Sequence, residues 1–429
     1  MSVALVDTPP TTEQVTASRT PVTTPIANGI IVFHGLALAV LVGSDGPGPW
    51  PAVRALVAVC VTAAAVWVGR SPVRRRGTTS VLVFGLVGII AGIGIGAPHA
   101  VKAGASAESV SGIAALATGL TLAGLATVAS VRRARRWRKL LVAPIGLAVI
   151  VLGVAPLALA VAVTNVPPLA LGDETPADRG LPYSDVSIQA NDGTELAAWY
   201  VPSTNGAAVV LLGGATNTRT DELDHAAVLA SNGYGVLLLD ARGHGESDGD
   251  AMLWGWYGET DVRAAVDYLA SRDDVTAGRV AAVGMSMGAE EAIGAAGADP
   301  RLLAVVAEGA SARGARDEGD PARGIGGWLV RYIDWTTAHA ADLMTSAEPP
   351  TKLRDAIAAA APRPVMIIAA GTQPTEVDAA HSFEAAAPGS VEVWIAPRAG
   401  HTTAYDTYPA AWEARVIAFL DNALDVDRT

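Results

Sequence analysis

The chain has 429 residues, 51% of them hydrophobic but only 5% aromatic, and a mean hydropathy of +0.35, which excludes a disordered chain or a coiled coil. The single cysteine, Cys60, excludes an intrachain disulfide and a cysteine-based zinc site. The net charge of −12 is unevenly distributed along the chain. Residues 1–172 contain 13 Lys and Arg against 4 Asp and Glu, whereas residues 173–429 contain 17 against 38. The acidic second part therefore offers no nucleic-acid surface.

The first part of the chain has the pattern of a membrane region. A Thr- and Pro-rich start, residues 1–28, has the composition of a disordered segment. Five apolar stretches follow within residues 29–164, at Gly29–Gly43, Pro51–Val68, Thr79–Ala97, Gly112–Val128 and Leu140–Val163. About 20 apolar residues cross a bilayer as a helix, so the last four are predicted to span a membrane and the first is marginal. A soluble helix bundle would show polar faces, whereas Val81–Ile95 carries no charge.

The orientation of these spans follows from two arginine-rich runs. Arg70–Arg76 lies between the second and third stretches, and Arg132–Lys139 lies between the fourth and fifth. Because cytoplasmic loops retain positive charge, both runs are predicted to lie inside, and the fifth span leads outward. The remainder of the chain is therefore predicted to face the extracytoplasmic side of a cell membrane. The runs are suited to anionic lipid head groups, with a cytoplasmic partner as the alternative.

After a linker at residues 165–182, the pattern changes to that of an α/β domain over residues 183–429. Short β-branched runs alternate with Ala-rich helical segments, which is typical of a mainly parallel sheet covered by helices. Eight strands are predicted, at Ser184–Gln189, Leu196–Val201, Ala207–Leu212, Gly235–Leu239, Val280–Gly284, Leu303–Val306, Val365–Ala369 and Val391–Ile395.

A G-x-S-x-G motif, Gly284–Gly288, stands directly after the fifth of these strands and before an Ala-rich helix. In that context it predicts a nucleophile elbow with Ser286 exposed above the sheet. Serine needs a base, and His401 follows the last strand on a loop at the same edge. His244, in the stretch Asp240–Ser247, comes too early for this order and is interpreted as part of a structural turn, with the alternative that it or Arg242 lines the site.

Three pieces in order, Asp240–Ser247, Gly284–Gly288 and Gly400–His401, resemble the α/β hydrolases, in particular the serine-aminopeptidase-like and lysophospholipase-like branch. The resemblance covers roughly residues 180–425 and implies a mostly parallel eight-stranded sheet with helices on both faces and a small helical lid. It also implies a Ser-His-acid triad that needs no cofactor and no metal. By position, the oxyanion donors are the amides of Ala215, with Thr216 as a near alternative, and of Met287.

The triad acid departs from the family pattern. The family commonly has G-x-x-D after its seventh strand, whereas Gly371 is followed by Thr372, Gln373 and Pro374. Glu376 and Asp378 are the nearest carboxylates. We prefer Glu376 because it is nearer the loop, and Asp378 is the alternative acid.

An insertion at about residues 309–362 carries Trp328, Tyr332 and Trp335 in a helical pattern. By the resemblance it is a lid that selects substrates by shape, and the alternative is that these aromatic residues are ordinary core packing. Trp254 and Trp256 are also placed to border the pocket.

These observations lead to the hypothesis of a membrane-anchored serine hydrolase that cleaves a carboxylic ester or a related acyl bond through an acyl-enzyme. Its expected partners are a small or lipid-like acyl substrate and membrane lipids. A peptidase or an acyltransferase would use the same triad. The alternative from another class is a non-catalytic membrane receptor or scaffold whose hydrolase-like domain only binds.

Overall fold

The apolar N-terminal part folds into long helices in the computed structural model, which describes residues 23–43, 50–70, 74–314, 317 and 324–426. These helices are α1 (Thr23–Gly43), α2 (Trp50–Arg70), α3 (Arg74–Ala91), α4 (Ala97–Lys102), α5 (Ala107–Arg133), α6 (Val142–Val149) and α7 (Ala155–Thr164). π-Helical turns at Gly92–Gly96 and Ile150–Val154 join α3 to α4 and α6 to α7. Of the start predicted to be disordered, residues 1–28, the first 22 lie outside the described residues. Helix α1 begins at Thr23, inside that predicted segment.

Among the described residues, three helical stretches are long and apolar enough to cross a bilayer. They are Thr78–Lys102, Ala107–Arg133 and Arg136–Thr164, and they contain the third, fourth and fifth predicted spans. The apolar cores of α1 and α2, Ala27–Gly43 and Ala52–Trp67, are shorter. Helix α2 contains the whole of the second predicted span, Pro51–Val68.

Small residues let these helices approach closely. A Cβ built on Gly96 of the π-helical turn would lie 2.6 Å from the Cα of Gly112 in α5, so glycine at this position permits close packing of the two helices. His34 of α1 is also accommodated between helices, because its ring nitrogens lie 2.6 Å from Thr118 Oγ1 and 3.1 Å from the Phe84 carbonyl.

The second part of the chain forms an eight-stranded sheet within the described ranges, which confirms the predicted strands. The strands are β1 (Ser184–Gln189), β2 (Glu195–Val201), β3 (Ala208–Leu212), β4 (Gly235–Leu239), β5 (Val280–Met285), β6 (Leu302–Glu308), β7 (Val365–Ala370) and β8 (Val391–Ala396). Their order is β1-β2-β4-β3-β5-β6-β7-β8, and β3 to β8 run parallel. Strand β2 pairs antiparallel with β1 and with β4.

Helices cover both faces of this sheet. The helices of this part of the chain are α8 (Leu223–Ser231), α9 (Gly258–Ala270), α10 (Met287–Ala298), α11 (Ile325–Asp342), α12 (Leu353–Ala360), α13 (Pro374–Ala386), α14 (Ala404–Thr407) and α15 (Pro409–Leu424), and all but α11 belong to the layers on the sheet. Helices α9, α10, α12 and α13 share one core with the sheet, and α8 and α15 share the other. The central strands β3, β4 and β5 are buried along their whole length, as parallel strands covered on both faces must be.

Helix α11 of the insertion packs against α7, the end of the last apolar stretch, and not against the sheet core. The Tyr332 hydroxyl donates to the Leu152 carbonyl at 3.0 Å. In a regular α-helix the amide of residue 156 donates to the carbonyl of residue 152, but Pro156 has no N–H. The Tyr332 hydroxyl therefore supplies the Leu152 carbonyl with a donor in place of the missing one. Trp328 and Trp335 remain 51% and 59% exposed, so the core-packing interpretation is wrong for these two residues, whereas Tyr332 is half-buried against the apolar helix.

Candidate active site

Ser286 stands on a sharp turn between β5 and α10. Its φ of 52° and ψ of −116° lie in a region that non-glycine residues rarely adopt, and this strain raises the side chain above the strand ends. The flanking glycines make the turn possible. A Cβ on Gly288 would lie 2.6 Å from the carbonyl oxygens of Leu212 and Gly213, and a Cβ on Gly284 would overlap Gly288.

His401 lies between Ser286 and an acidic residue. Its Nε2 is 2.8 Å from Ser286 Oγ, and its Nδ1 is 2.7 Å from Glu376 Oε1. The hydrogen bond with Glu376 is the main reason that the pKa of His401 is raised above its ordinary value of 6.5, and partial burial opposes this effect. The three side chains therefore form a continuous chain of hydrogen bonds.

The acid lies at the beginning of α13, which follows β7. Glu376 is buried, and its second oxygen, Oε2, accepts from the Ala370 amide at 2.8 Å, so the carboxylate is held from both sides. Asp378, two residues further along the helix, is exposed to solvent. The structure thus brings Glu376 to His401 and leaves Asp378 away from it.

The loop after β3 lies beside the nucleophile. A Cβ built on Gly214 would lie 3.5 Å from Ser286 Cβ, and the Gly288 amide donates to the Gly213 carbonyl at 3.1 Å. The amides of Ala215 and Thr216 donate to no atom within the part of the chain that the structure describes. As the first residue of α10, Met287 also has an amide without an intrahelical acceptor.

The turn Asp240–Ser247 is a network of buried charges. Asp240 accepts from the Arg219 amide at 2.7 Å and from the Arg219 guanidinium, and both side chains are almost completely buried. Arg242 pairs with Asp192 at 2.5 Å and with Asp261. These contacts support the structural interpretation of this turn, because the Arg242 guanidinium is engaged by two carboxylates.

His244 of the same turn contacts the loop after β3. Its Nε2 lies 3.1 Å from the Ala215 carbonyl, and its Nδ1 lies 3.0 Å from the Arg242 carbonyl. Sequence reasoning missed this contact, which joins residues far apart in the chain. The only sequence signal for it was the position of His244 after a strand that neighbours β3.

Two further features of the site surroundings come from the insertion and from the loop before α9. Glu290, one turn after Ser286, accepts the amides of Ser311 and Ala312 at the start of the insertion, and burial raises its pKa to about 7. Trp254 stacks on Trp256, and together they border a small cavity next to the insertion.

Among the residues that the structure describes, no cluster of three or more His, Cys, Asp or Glu side chains is arranged to hold a metal ion.

Residues 181–415, more than half of the chain, match the protein family described as X-Pro dipeptidyl-peptidase (S15 family). An uncharacterised protein of Mycobacterium tuberculosis is 36% identical over 115 residues, which are 26% of this chain and 40% of that protein. The α/β hydrolase domain-containing protein WAV2 of Arabidopsis thaliana is 30% identical over 118 residues, 27% of this chain and 38% of that protein. The chain thus spans about 40% of the length of these curated relatives.

Among solved structures, the Pyrococcus furiosus esterase Pf2001 is similar to this chain. It is 24% identical, has a TM-score of 0.48, and covers 60% of this chain and 99% of its own. The α/β hydrolase superfamily expected from the three motifs is confirmed by the family match and by the strand order of the sheet.

Proposed function

The chain belongs to the family described as X-Pro dipeptidyl-peptidase (S15 family) and is a serine hydrolase, and we propose that it cleaves a carboxylic ester through an acyl-enzyme. The observation that carries this proposal is the unbroken chain of hydrogen bonds from Glu376 through His401 to Ser286. Such a chain is what a serine needs to become a nucleophile at neutral pH.

In the proposed first half-reaction, Ser286 Oγ attacks the ester carbonyl carbon while its proton passes to His401 Nε2. The negative charge that develops on the carbonyl oxygen is held by the amides of Ala215 and Met287. Glu376 stabilises the imidazolium, and His401 then gives the proton to the leaving alkoxide. This step releases the alcohol and leaves the acyl group on Ser286.

In the second half-reaction, His401 takes a proton from water, and the resulting hydroxide attacks the acyl carbonyl. The same two amides hold the second oxyanion. When this intermediate collapses, the acid product leaves, and Ser286 recovers its proton from His401. Every proton is thus returned, and the cycle needs no further reactant.

Burst kinetics with p-nitrophenyl esters of increasing acyl length test this proposal. A burst of one p-nitrophenol per protein, absent in Ser286→Ala, is expected. Steady hydrolysis that persists in Ser286→Ala would contradict it.

A second candidate, peptide hydrolysis, is favoured by the family description. The same residues would act on an amide, with His401 protonating the leaving amine. Parallel assays with X-Pro-p-nitroanilide and p-nitrophenyl ester substrates discriminate the two, because a peptidase must cleave the anilide, whereas an esterase cleaves only the ester.

We further propose that the helical part anchors the enzyme in a cell membrane with the hydrolase domain on the extracytoplasmic side. The support is the three long apolar stretches and the two arginine-rich runs at their predicted cytoplasmic ends. This placement favours a substrate of lipid-like character over a freely soluble one.

A further inference from the structure

The segment that leaves the last apolar helix, residues 163–169, contacts the hydrolase domain directly. We call it the exit segment. At its start, the Val163 carbonyl accepts from the Leu253 amide at 3.0 Å. Val163 is buried in one apolar cluster with Met252 and Trp256. The end of the helix is therefore part of the packing of the loop that precedes α9.

That loop supports the residue after the nucleophile. Gly255 lies so close to α10 that a Cβ on it would be 2.8 Å from Met287 Cγ. The Arg313 guanidinium donates to the Gly255 carbonyl from the other side. The loop thus lies between the exit segment and the side chains of α10, among them that of Met287, the residue whose amide is one of the two proposed oxyanion donors.

The end of the exit segment contacts the turn that supports the other donor. Leu169 pairs with His244 in a parallel β-bridge, and the Leu169 carbonyl accepts from the Gly245 amide at 2.9 Å. The His244 ring is buried, only 1% exposed, and reaches the Ala215 carbonyl. Because a carbonyl oxygen only accepts, the bond to Ala215 requires a proton on His244 Nε2, and the Arg242 carbonyl next to Nδ1 requires the same of the other ring nitrogen.

The position of an oxyanion donor has a large effect on rate. The donors must lie at hydrogen-bond distance from the oxygen of the tetrahedral intermediate, and removing one costs roughly 10²–10³-fold in kcat. A displacement of about 1 Å costs a similar factor. The Ala215 carbonyl shares a rigid peptide plane with the Thr216 amide and is separated from the Ala215 amide by two backbone torsions, so a bond to this carbonyl restrains the loop segment that carries both candidate amides.

We propose that the exit segment and His244 are positioning elements of the oxyanion hole, so that the helical part of the chain contributes to catalysis as well as to anchoring. This inference rests on the proposed function. Its basis is that two loops, one next to Ala215 and one next to Met287, both bond to the exit segment. None of these supporting groups touches the reacting atoms.

Two substitutions of His244 separate positioning from packing in the full-length enzyme. Glutamine places an amide nitrogen near the position of Nε2 and can keep the bond to Ala215, whereas asparagine reaches only the position of Nδ1. We expect kcat for a p-nitrophenyl ester to fall about 10–100-fold in His244→Asn and less than about 5-fold in His244→Gln. KM and the pH at half-maximal rate, which reports His401, should stay constant in both.

Displacing the exit segment should lower kcat in the same way as His244→Asn. Two glycines inserted between Pro168 and Leu169 move the Leu169 carbonyl, and the matched control places two glycines between the exposed Asp173 and Glu174. We expect the first insertion to lower kcat about 10-fold or more and the second to change it less than about 2-fold.

Binding of a boronic acid, which forms a tetrahedral adduct with the serine, is the second measurement on each variant. Its inhibition constant should weaken by the same factor as kcat/KM, because both depend on the oxyanion donors. Equal kcat in His244→Asn and wild type, or equal losses in the asparagine and glutamine variants, would overturn the proposal. A wild type that hydrolyses no ester and binds no boronic acid would instead refute the proposed function.

Discussion

Replacing Glu376 with glutamine removes the negative charge that faces His401 and keeps a side chain of nearly the same volume. Glu376 Oε1 lies 2.7 Å from His401 Nδ1 in a buried position. During the proposed attack His401 becomes an imidazolium, so the carboxylate stabilises the transition state more than the ground state. The substitution is therefore expected to lower kcat and to leave KM nearly unchanged.

The size of the loss follows from the geometry. Two unit charges about 4 Å apart interact by ~4 kcal/mol at an effective dielectric constant of about 20. The His401 side chain is 48% exposed, so solvent screening reduces this to on the order of 2 kcal/mol, or about 30-fold in rate. A glutamine NH₂ group that donates to Nδ1 also leaves the ring hydrogen on Nε2, where it blocks proton transfer from Ser286. We therefore expect a loss of roughly 10²–10⁴-fold in kcat.

The pH dependence of kcat/KM tests whether Glu376 raises the pKa of His401. Glu376 raises the pKa of His401 above 6.5 by favouring its protonated form, and only neutral His401 can accept the serine proton. In the wild type kcat/KM should therefore rise through an apparent pKa above 6.5. In Glu376→Gln this acid limb should move to lower pH while the plateau falls.

The assay is steady-state hydrolysis of a p-nitrophenyl ester between pH 5 and 9. Asp378→Asn is the matched control, because Asp378 is an exposed carboxylate two residues further along the same helix, and its kcat should change less than about 2-fold. If Glu376→Gln kept more than a third of the wild-type kcat, or if Asp378→Asn caused the larger loss, the assignment of the acid would be refuted.

Other predictions concern folding and topology. In Gly288→Ala the new Cβ would press on the Gly213 carbonyl, so a melting temperature lower by several degrees is expected, whereas Gly326→Ala, in open space, should be neutral; equal melting temperatures would contradict this. Asp240→Asn breaks the buried pair with Arg219 and should cost about 3–5 kcal/mol in the free energy of unfolding, measured by chemical denaturation. A C-terminal fusion of alkaline phosphatase, which is active only outside the cytoplasm, should be active in cells, and an inactive phosphatase would reverse the proposed orientation.

Much of the hydrolase domain could be predicted because its signals are local. Strands β3, β4, β5 and β7 are continuous apolar runs, and buried parallel strands require such runs. Ser286 could be located because its glycines are required by a turn of fixed geometry. His401 could be located because chain order and strand ends determine which loops meet at one edge of a sheet.

The parts that sequence reasoning missed depend on contacts between distant residues. Nothing local indicates that His244 reaches Ala215, since the two residues meet only because β3 and β4 are neighbours in the sheet. The packing of the insertion helix on α7 was also missed, because the amphipathic pattern around Tyr332 shows one packed face and does not identify the partner. The choice of Glu376 over Asp378 rested on distance from the loop, whereas the helical geometry at the beginning of α13 determines which carboxylate faces His401.

The most direct test of the central claim is labelling of membranes that carry the protein with a fluorophosphonate probe, followed by mass spectrometry of the modified peptide. The account predicts one adduct, on Ser286, which is lost in Ser286→Ala and strongly slowed in His401→Ala although both variants remain folded. A folded wild type that acquires no adduct, tested also after detergent extraction to open access to the site, would contradict the claim and favour a domain that only binds.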